Sequence, residues 1–151
     1  MKRAVLFALV TLLALGATAA PATSPTRPAA DDKATKDDYA IDTTATVAKL
    51  KVKGEGGFSL KITPKNGKKV HADAPLEITI VDNAAIKPAK QKLGRSDLKA
   101  KGAKEPEAVT VLRGVKAGPT TLEVNVSFFL CTDAWCQRMS DHVQIPITVE
   151  E

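Results

Sequence analysis

The sequence predicts an all-β domain, and three observations carry that prediction. Apolar and polar residues alternate through Leu122, Val124, Val126, Phe128 and Leu130, and again through Val143, Ile145, Ile147 and Val149. Period-two alternation is the mark of a half-buried strand. Shorter stretches of the same kind lie upstream, separated by Gly-, Pro- and Asn-rich turn signals, and no long segment beyond the N-terminus has helical periodicity. Six or seven short strands with turns between them predict an immunoglobulin-like β-sandwich of about seven strands.

The chain opens with an export pattern. Lys2 and Arg3 precede an apolar run from Ala4 to Leu15, broken only by Thr11, and small residues follow at Gly16-Ala-Thr-Ala-Ala20. The run is too short to span a bilayer comfortably, and Ala17-Thr18-Ala19 supplies a small-x-small cleavage site. Residues 1–19 are therefore expected to be a signal peptide, with an uncleaved N-terminal anchor as the alternative. No cysteine lies nearby for lipid attachment. After cleavage no membrane span is expected, and the protein is expected to be periplasmic or secreted.

Residues 20–45 are expected to form a flexible leader. Pro21, Pro25 and Pro28 sit among Ala, Thr and Ser, followed by charged Asp31-Asp-Lys and Lys36-Asp-Asp. Such a stretch has too few apolar residues to offset the entropy of ordering. Tyr39 and Ile41 are the only candidates for an additional strand.

The sandwich is expected over residues 46–151, about 105 residues, enough for one core and not two. Val47, Leu50 and Val52 give a first strand, interrupted by Gly54, Gly56 and Gly57. Phe58, Leu60 and Ile62 give a second, ended by the turn signal Pro64-Lys-Asn-Gly67. Leu76, Ile78 and Ile80 follow Pro75, and Val109 and Val111 give a further strand. Gly114 to Pro119 turns the chain into the terminal hairpin. Between these lies Lys87 to Lys104, with seven basic residues and Asp97 as its only acid. It reads as a solvated loop with an amphipathic turn around Leu93 and Leu98, so replacing Lys90, Lys92 and Arg95 is expected to change little. An anionic docking surface is the alternative, but no aromatic residue interleaves for base stacking.

Composition limits the function classes. The whole chain carries 22 basic and 17 acidic residues, a net +5. Losing Lys2 and Arg3 leaves 20 against 17, a mild +3 that by itself argues neither for nor against nucleic acid; with no aromatic residue interleaving the basic segment, no nucleic-acid partner is expected. There is no Gly-x-Ser-x-Gly, no His-Glu-x-x-His and no phosphate-binding glycine loop, so hydrolase and transferase chemistry have no support and no cofactor is expected.

The two cysteines hold what chemistry there is. Cys131 and Cys136 lie at the tip between the two longest strand patterns. An exported pair is expected to be oxidised. Direct pairing across the hairpin would bring their Cα atoms to about 4.5–5.5 Å, within disulfide range. The same register sets Phe128 opposite Met139, Val124 opposite Val143 and Leu122 opposite Ile145. It also turns Asp141 inward opposite Val126, a conflict that a bulge near Ser140-Asp141 would resolve. Even-numbered residues of the first strand face the core, so odd-numbered Cys131 is expected on the outer face beside Phe129, accessible to exchange. Arg138 would favour a thiolate. Trp135 is expected to be exposed as a partner contact with Phe129 and Arg138, or else to fold back as a lid. A thioredoxin-type site is excluded, because it needs Cys-x-x-Cys at a helix start. Cys131, Cys136, Met139 and His142 form a weaker alternative, a soft site for copper(I).

The strand, Cys131-Thr-Asp-Ala-Trp-Cys136 and the returning strand resemble the end of the N-terminal periplasmic domain of the thiol:disulfide interchange protein DsbD. Ile62-Thr-Pro-Lys-Asn-Gly67 and Ala74-Pro-Leu76 are similar to that family's early strands. The resemblance covers about residues 55–150, mainly at the hairpin. It implies an immunoglobulin-like sandwich whose Cys131 and Cys136 pass electrons to or from a thioredoxin-like oxidoreductase. The loop has four residues where the best-known members have five. The membrane and thioredoxin-like domains do not follow within the sequence, so the expectation is a stand-alone module with a separate electron donor. The alternative is a non-catalytic binding domain with a structural disulfide.

Overall fold

Residues 33–151 are described in the computed structural model of the chain; the expected signal peptide and residues 20–32 lie outside them. Ten strands form two sheets: β1 (Tyr39–Asp42), β2 (Lys49–Lys51), β3 (Glu55–Pro64), β4 (Lys69–Val70), β5 (Glu77–Ile80), β6 (Ile86–Pro88), β7 (Lys92–Leu93), β8 (Glu107–Gly114), β9 (Gly118–Cys131) and β10 (Cys136–Glu150). One sheet runs β1-β3-β8-β6; the other runs β2-β10-β9-β5-β7, with β4 also on β9. Pairing is antiparallel except for β2, which lies parallel to the end of β10. The domain is an immunoglobulin-like β-sandwich, as its strand patterns predict.

The alternating residues form the core. Phe58, Leu60 and Ile62 of β3 and Leu112 of β8 face Ile78 and Ile80 of β5 and Leu122, Val124, Phe128 and Leu130 of β9, all essentially inaccessible to water. Apolar burial of this kind is the main favourable contribution to folding. After β3 the chain changes sheets through a turn in which Asn66 and Gly67 both have positive φ and the Lys68 N–H donates to the Lys65 carbonyl. That is the Asn-Gly geometry of a type I′ turn, here joining two sheets rather than two paired strands.

Four features differ from the sequence reading. First, structure begins before residue 46. Ala34 is buried, Lys36–Asp38 form a short 3-10 turn, and Tyr39–Asp42 pair with β3. Asp38 accepts hydrogen bonds from Lys68, Thr35 and Asn66, which hold its carboxyl far below the usual carboxylate range. Four residues carry too little alternation to announce a strand. Second, the terminal hairpin has no bulge: the register runs unbroken from Cys136–Cys131 to Val149–Gly118. Asp141 does turn inward opposite Val126, and it is satisfied there by the same N-terminal segment. Lys36 Nζ donates to Oδ1 at 2.9 Å and the Tyr39 hydroxyl to Oδ2 at 3.0 Å.

Third, Val109 and Val111 do lie in a strand, β8, but on its outer face, 39 % and 42 % exposed, while Ala108 and Leu112 face the core. Two valines two apart do not say which face is buried. Fourth, the basic segment from Lys87 to Lys104 is an ordered crossing in its first half, with the expected turn between Leu93 and Leu98 at Arg95–Asp97, and only residues 99–104 are a largely exposed loop. It contributes β6 to one sheet and β7 to the other, burying Leu93. Arg95 is half-buried, donating from Nε to the Ala74 carbonyl at 2.6 Å and from its other arm to the His71 carbonyl. Its fork ties down the segment before β5, a role that a charge count cannot reveal.

Candidate functional site

The hairpin tip is built by β9 and β10, the two longest strands. Cys131 and Cys136 are directly opposite and disulfide-bonded, with Cα atoms 4.1 Å apart. The turn between them is held by Thr132. Its N–H donates to the Trp135 carbonyl, and its Oγ1 accepts from the N–H groups of Ala134 and Trp135. This is the local backbone capture by a hydroxyl that favours Thr in turns.

The two sulfurs have unlike surroundings. Cys131 is only 2 % exposed, whereas Cys136 is exposed. Parity does place Cys131 on the outer face, but β4 pairs beside it, with Lys69 opposite Cys131. The burial was not legible from the hairpin alone, because the strand that flanks Cys131 in the sheet, Lys69–Val70, lies far upstream and is two residues long. Lys69 Nζ also donates to Asp133 at 2.8 Å, joining β4 to the tip; a pair this exposed contributes little energy.

The expected contact residues divide. Arg138 is exposed on the Cys136 face and donates from Nε to Ser127 Oγ at 2.8 Å. Phe129, opposite Arg138, is half-buried. Trp135 is half-buried and packs against the edge of the core rather than standing out in solvent. The copper(I) grouping is not assembled. Met139 faces inward opposite Phe128, while Cys136 and His142 face outward and His142 pairs with Asn125. Among the described residues no three His, Cys, Asp or Glu side chains gather as a metal site.

Chemically, the arrangement offers a disulfide between one exposed cysteine and one buried cysteine, with a cation on the same strand face as the exposed one, two residues away. A thiolate attacks a disulfide along a path that needs access to the attacked sulfur.

The sequence matches no protein-family model and no curated protein. Among solved structures the chain is similar to domains 4 and 5 of the S-layer protein SbsC (TM-score 0.42, 11 % identity, 74 % of this chain), spanning about half, 51 %, of that fragment. It is similar to a cohesin module of a Clostridium perfringens family 33 glycoside hydrolase (TM-score 0.43, 10 % identity, 75 % of this chain and 96 % of that one). It is also similar to AggA, the major subunit of aggregative adherence fimbriae type I from Escherichia coli (TM-score 0.37, 14 % identity, 74 % and 95 %). These likenesses concern the fold. Among the described residues no helix is long and apolar enough to cross a membrane.

Proposed function

We propose that this chain is an exported thiol–disulfide exchange module that passes electrons between partner proteins through Cys131 and Cys136. The observation that carries the reading is the asymmetry of the pair: Cys136 is exposed and Cys131 is 2 % exposed. Its hairpin resemblance to the N-terminal domain of DsbD and the export pattern at the N-terminus support it.

In this reading a partner thiolate attacks Cys136 Sγ. The Cys131–Cys136 bond breaks, Cys131 leaves as a thiolate and takes a proton from water, and a mixed disulfide joins Cys136 to the partner. A second partner thiol then attacks the partner sulfur of that bond. The partner leaves as a disulfide and the module as a dithiol; the reverse sequence returns the electrons. A thioredoxin-like protein with two thiols suits both directions.

The test is trapping. Cys131→Ser keeps Cys136 and removes the thiol that resolves the adduct in the reverse sequence, so with the oxidised, disulfide form of a thioredoxin-like protein it should accumulate a mixed disulfide. Cys136→Ser leaves only the shielded Cys131 and should accumulate far less. Equal trapping by both variants refutes the assigned roles, and trapping by neither refutes exchange.

The burial of Cys131 favours a second reading, a structural staple in a binding domain. A reduction potential below about −300 mV would support that reading.

A further inference from the structure

The backbone of β10 is paired on one side only. On β9 the Phe129 carbonyl accepts from His71, and the Glu123 carbonyl from Val81, so odd-numbered residues of β9 turn their backbone polar groups towards β4 and β5. Even-numbered residues of β9 therefore bond to their odd-numbered partners on β10. Even-numbered residues of β10 bond outward: the Thr148 N–H donates to Ala48, and the Glu150 carbonyl accepts from Val52. Beyond that short contact β2 ends. Among the described residues the outward N–H groups of Cys136, Arg138, Ser140 and Gln144 have no partner. The run from Cys136 to Gln144 is about 26 Å of open edge.

An open edge is a template for another strand, and folded proteins usually blunt it with Pro, charge or a capping group. β10 is blunted at one end only. Pro146 has no N–H to offer, and the His142 N–H is taken by Asp141 Oδ1, which also holds Lys36. From Cys136 to Ser140 there is no proline and no captured N–H; the stretch has one charge, Arg138, and the Ala34 N–H meets it only at the Gln137 side chain, donating to Oε1 at 2.8 Å. The open end is the end that carries the exposed cysteine.

We propose that Cys136–Ser140 is the docking edge for the exchange partner, which adds an extended strand to β10 and so delivers its thiol to Cys136; the inference rests on the exchange reading above. The occupant is a strand with a cysteine opposite Cys136 and an acidic residue opposite Arg138, two positions along. Residues directly opposite in a hydrogen-bonded pair have Cα atoms about 5.5 Å apart, inside the range a disulfide spans. The acidic residue follows from charge: Arg138 is exposed and, among the described residues, has no carboxylate partner. Main-chain bonds supply affinity in this mode and alternate side chains supply selectivity.

Two measurements test this separately from exchange. A ten-residue peptide, rich in Val and Thr, carries Cys and Glu two positions apart; its twins carry Ser for Cys, or N-methylated backbone on the docking side. The Ser peptide should protect the amides of Cys136, Arg138 and Ser140 from hydrogen exchange in NMR spectra, and the N-methylated peptide should not. The Cys peptide should open the disulfide roughly tenfold faster than its N-methylated twin, as expected for the loss of two or three backbone hydrogen bonds. Ser140→Pro removes only an outward N–H and should abolish this advantage while leaving the rate with glutathione unchanged. No amide protection, or equal rates for the two Cys peptides, overturns the docking edge. Protection by the Ser peptide with no opening by any thiol retains the edge and refutes exchange. A concentration-dependent dimer that disappears in Ser140→Pro, without peptide protection, would assign the edge to a second copy and overturn the proposal.

Discussion

Tyr39→Phe isolates the contact that makes the N-terminal segment part of the fold. Tyr39 is 4 % exposed, meets Phe128 edge-on with ring centroids 5.0 Å apart, and donates its hydroxyl to Asp141 at 3.0 Å. Phe keeps the ring packing and removes the hydrogen bond. A hydrogen bond to a charged group contributes about 1.5–3 kcal/mol, so the midpoint of thermal unfolding should fall by about 6–12 °C in a domain of this size. Burial, then the hydrogen bond to Asp141, push the Tyr39 hydroxyl up to about 12 from an ordinary value of 10.0. A raised value means that the protonated form is the one the fold stabilises. Its contribution is complete below pH 10 and is lost as pH rises from about 10 to about 12. At Asp141, burial pushes the carboxyl up, but hydrogen bonds from Lys36, the His142 N–H and Tyr39 outweigh it and leave it below its ordinary value. Its contribution is therefore present at neutral pH and is lost on acidification below the usual carboxylate range. Tyr39 is the only tyrosine in the chain, so the phenolate ultraviolet band reports this group alone. Urea unfolding across pH, with the phenolate titration beside it, checks both limbs. A phenolate midpoint near 10 in the folded protein, or a Tyr39→Phe variant as stable as the parent at pH 7, would refute the docking of this segment.

Arg95→Gln should lose about 1–3 kcal/mol, because two backbone carbonyls lose a charged donor, whereas Lys90→Gln and Lys92→Gln should each stay within about 1 kcal/mol; thermal melts of the three variants check the contrast. Leu112→Ala should cost about 2–5 kcal/mol as a buried large-to-small change, while Val111→Thr, on the outer face of the same strand, should stay within about 0.5 kcal/mol. Equal losses in the two variants would mean that the assigned face of β8 is wrong.

The sequence by itself determined the sandwich and the pairing register of the terminal hairpin, though not its unbroken course through Asp141. Its information there is local: fourteen- and fifteen-residue strands carry enough alternation to specify a face, and a four-residue turn sets the register. The same local logic paired Cys131 with Cys136. It failed where a contact joins residues far apart in the chain. Asp141 looked like a register conflict because its partners, Lys36 and Tyr39, are about a hundred residues away and lie in a stretch too short and polar to read as structure. Arg95 looked like one charge among many because the carbonyls it holds belong to another segment. The two cysteines differ in their place in the sheet: a two-residue strand, β4, flanks Cys131 on β9, while Cys136 lies on the edge strand β10. Periodicity reports which face of a strand is apolar. Only the packed structure decides what covers that face, which polar group satisfies an inward carboxylate, and which strand edge is left open.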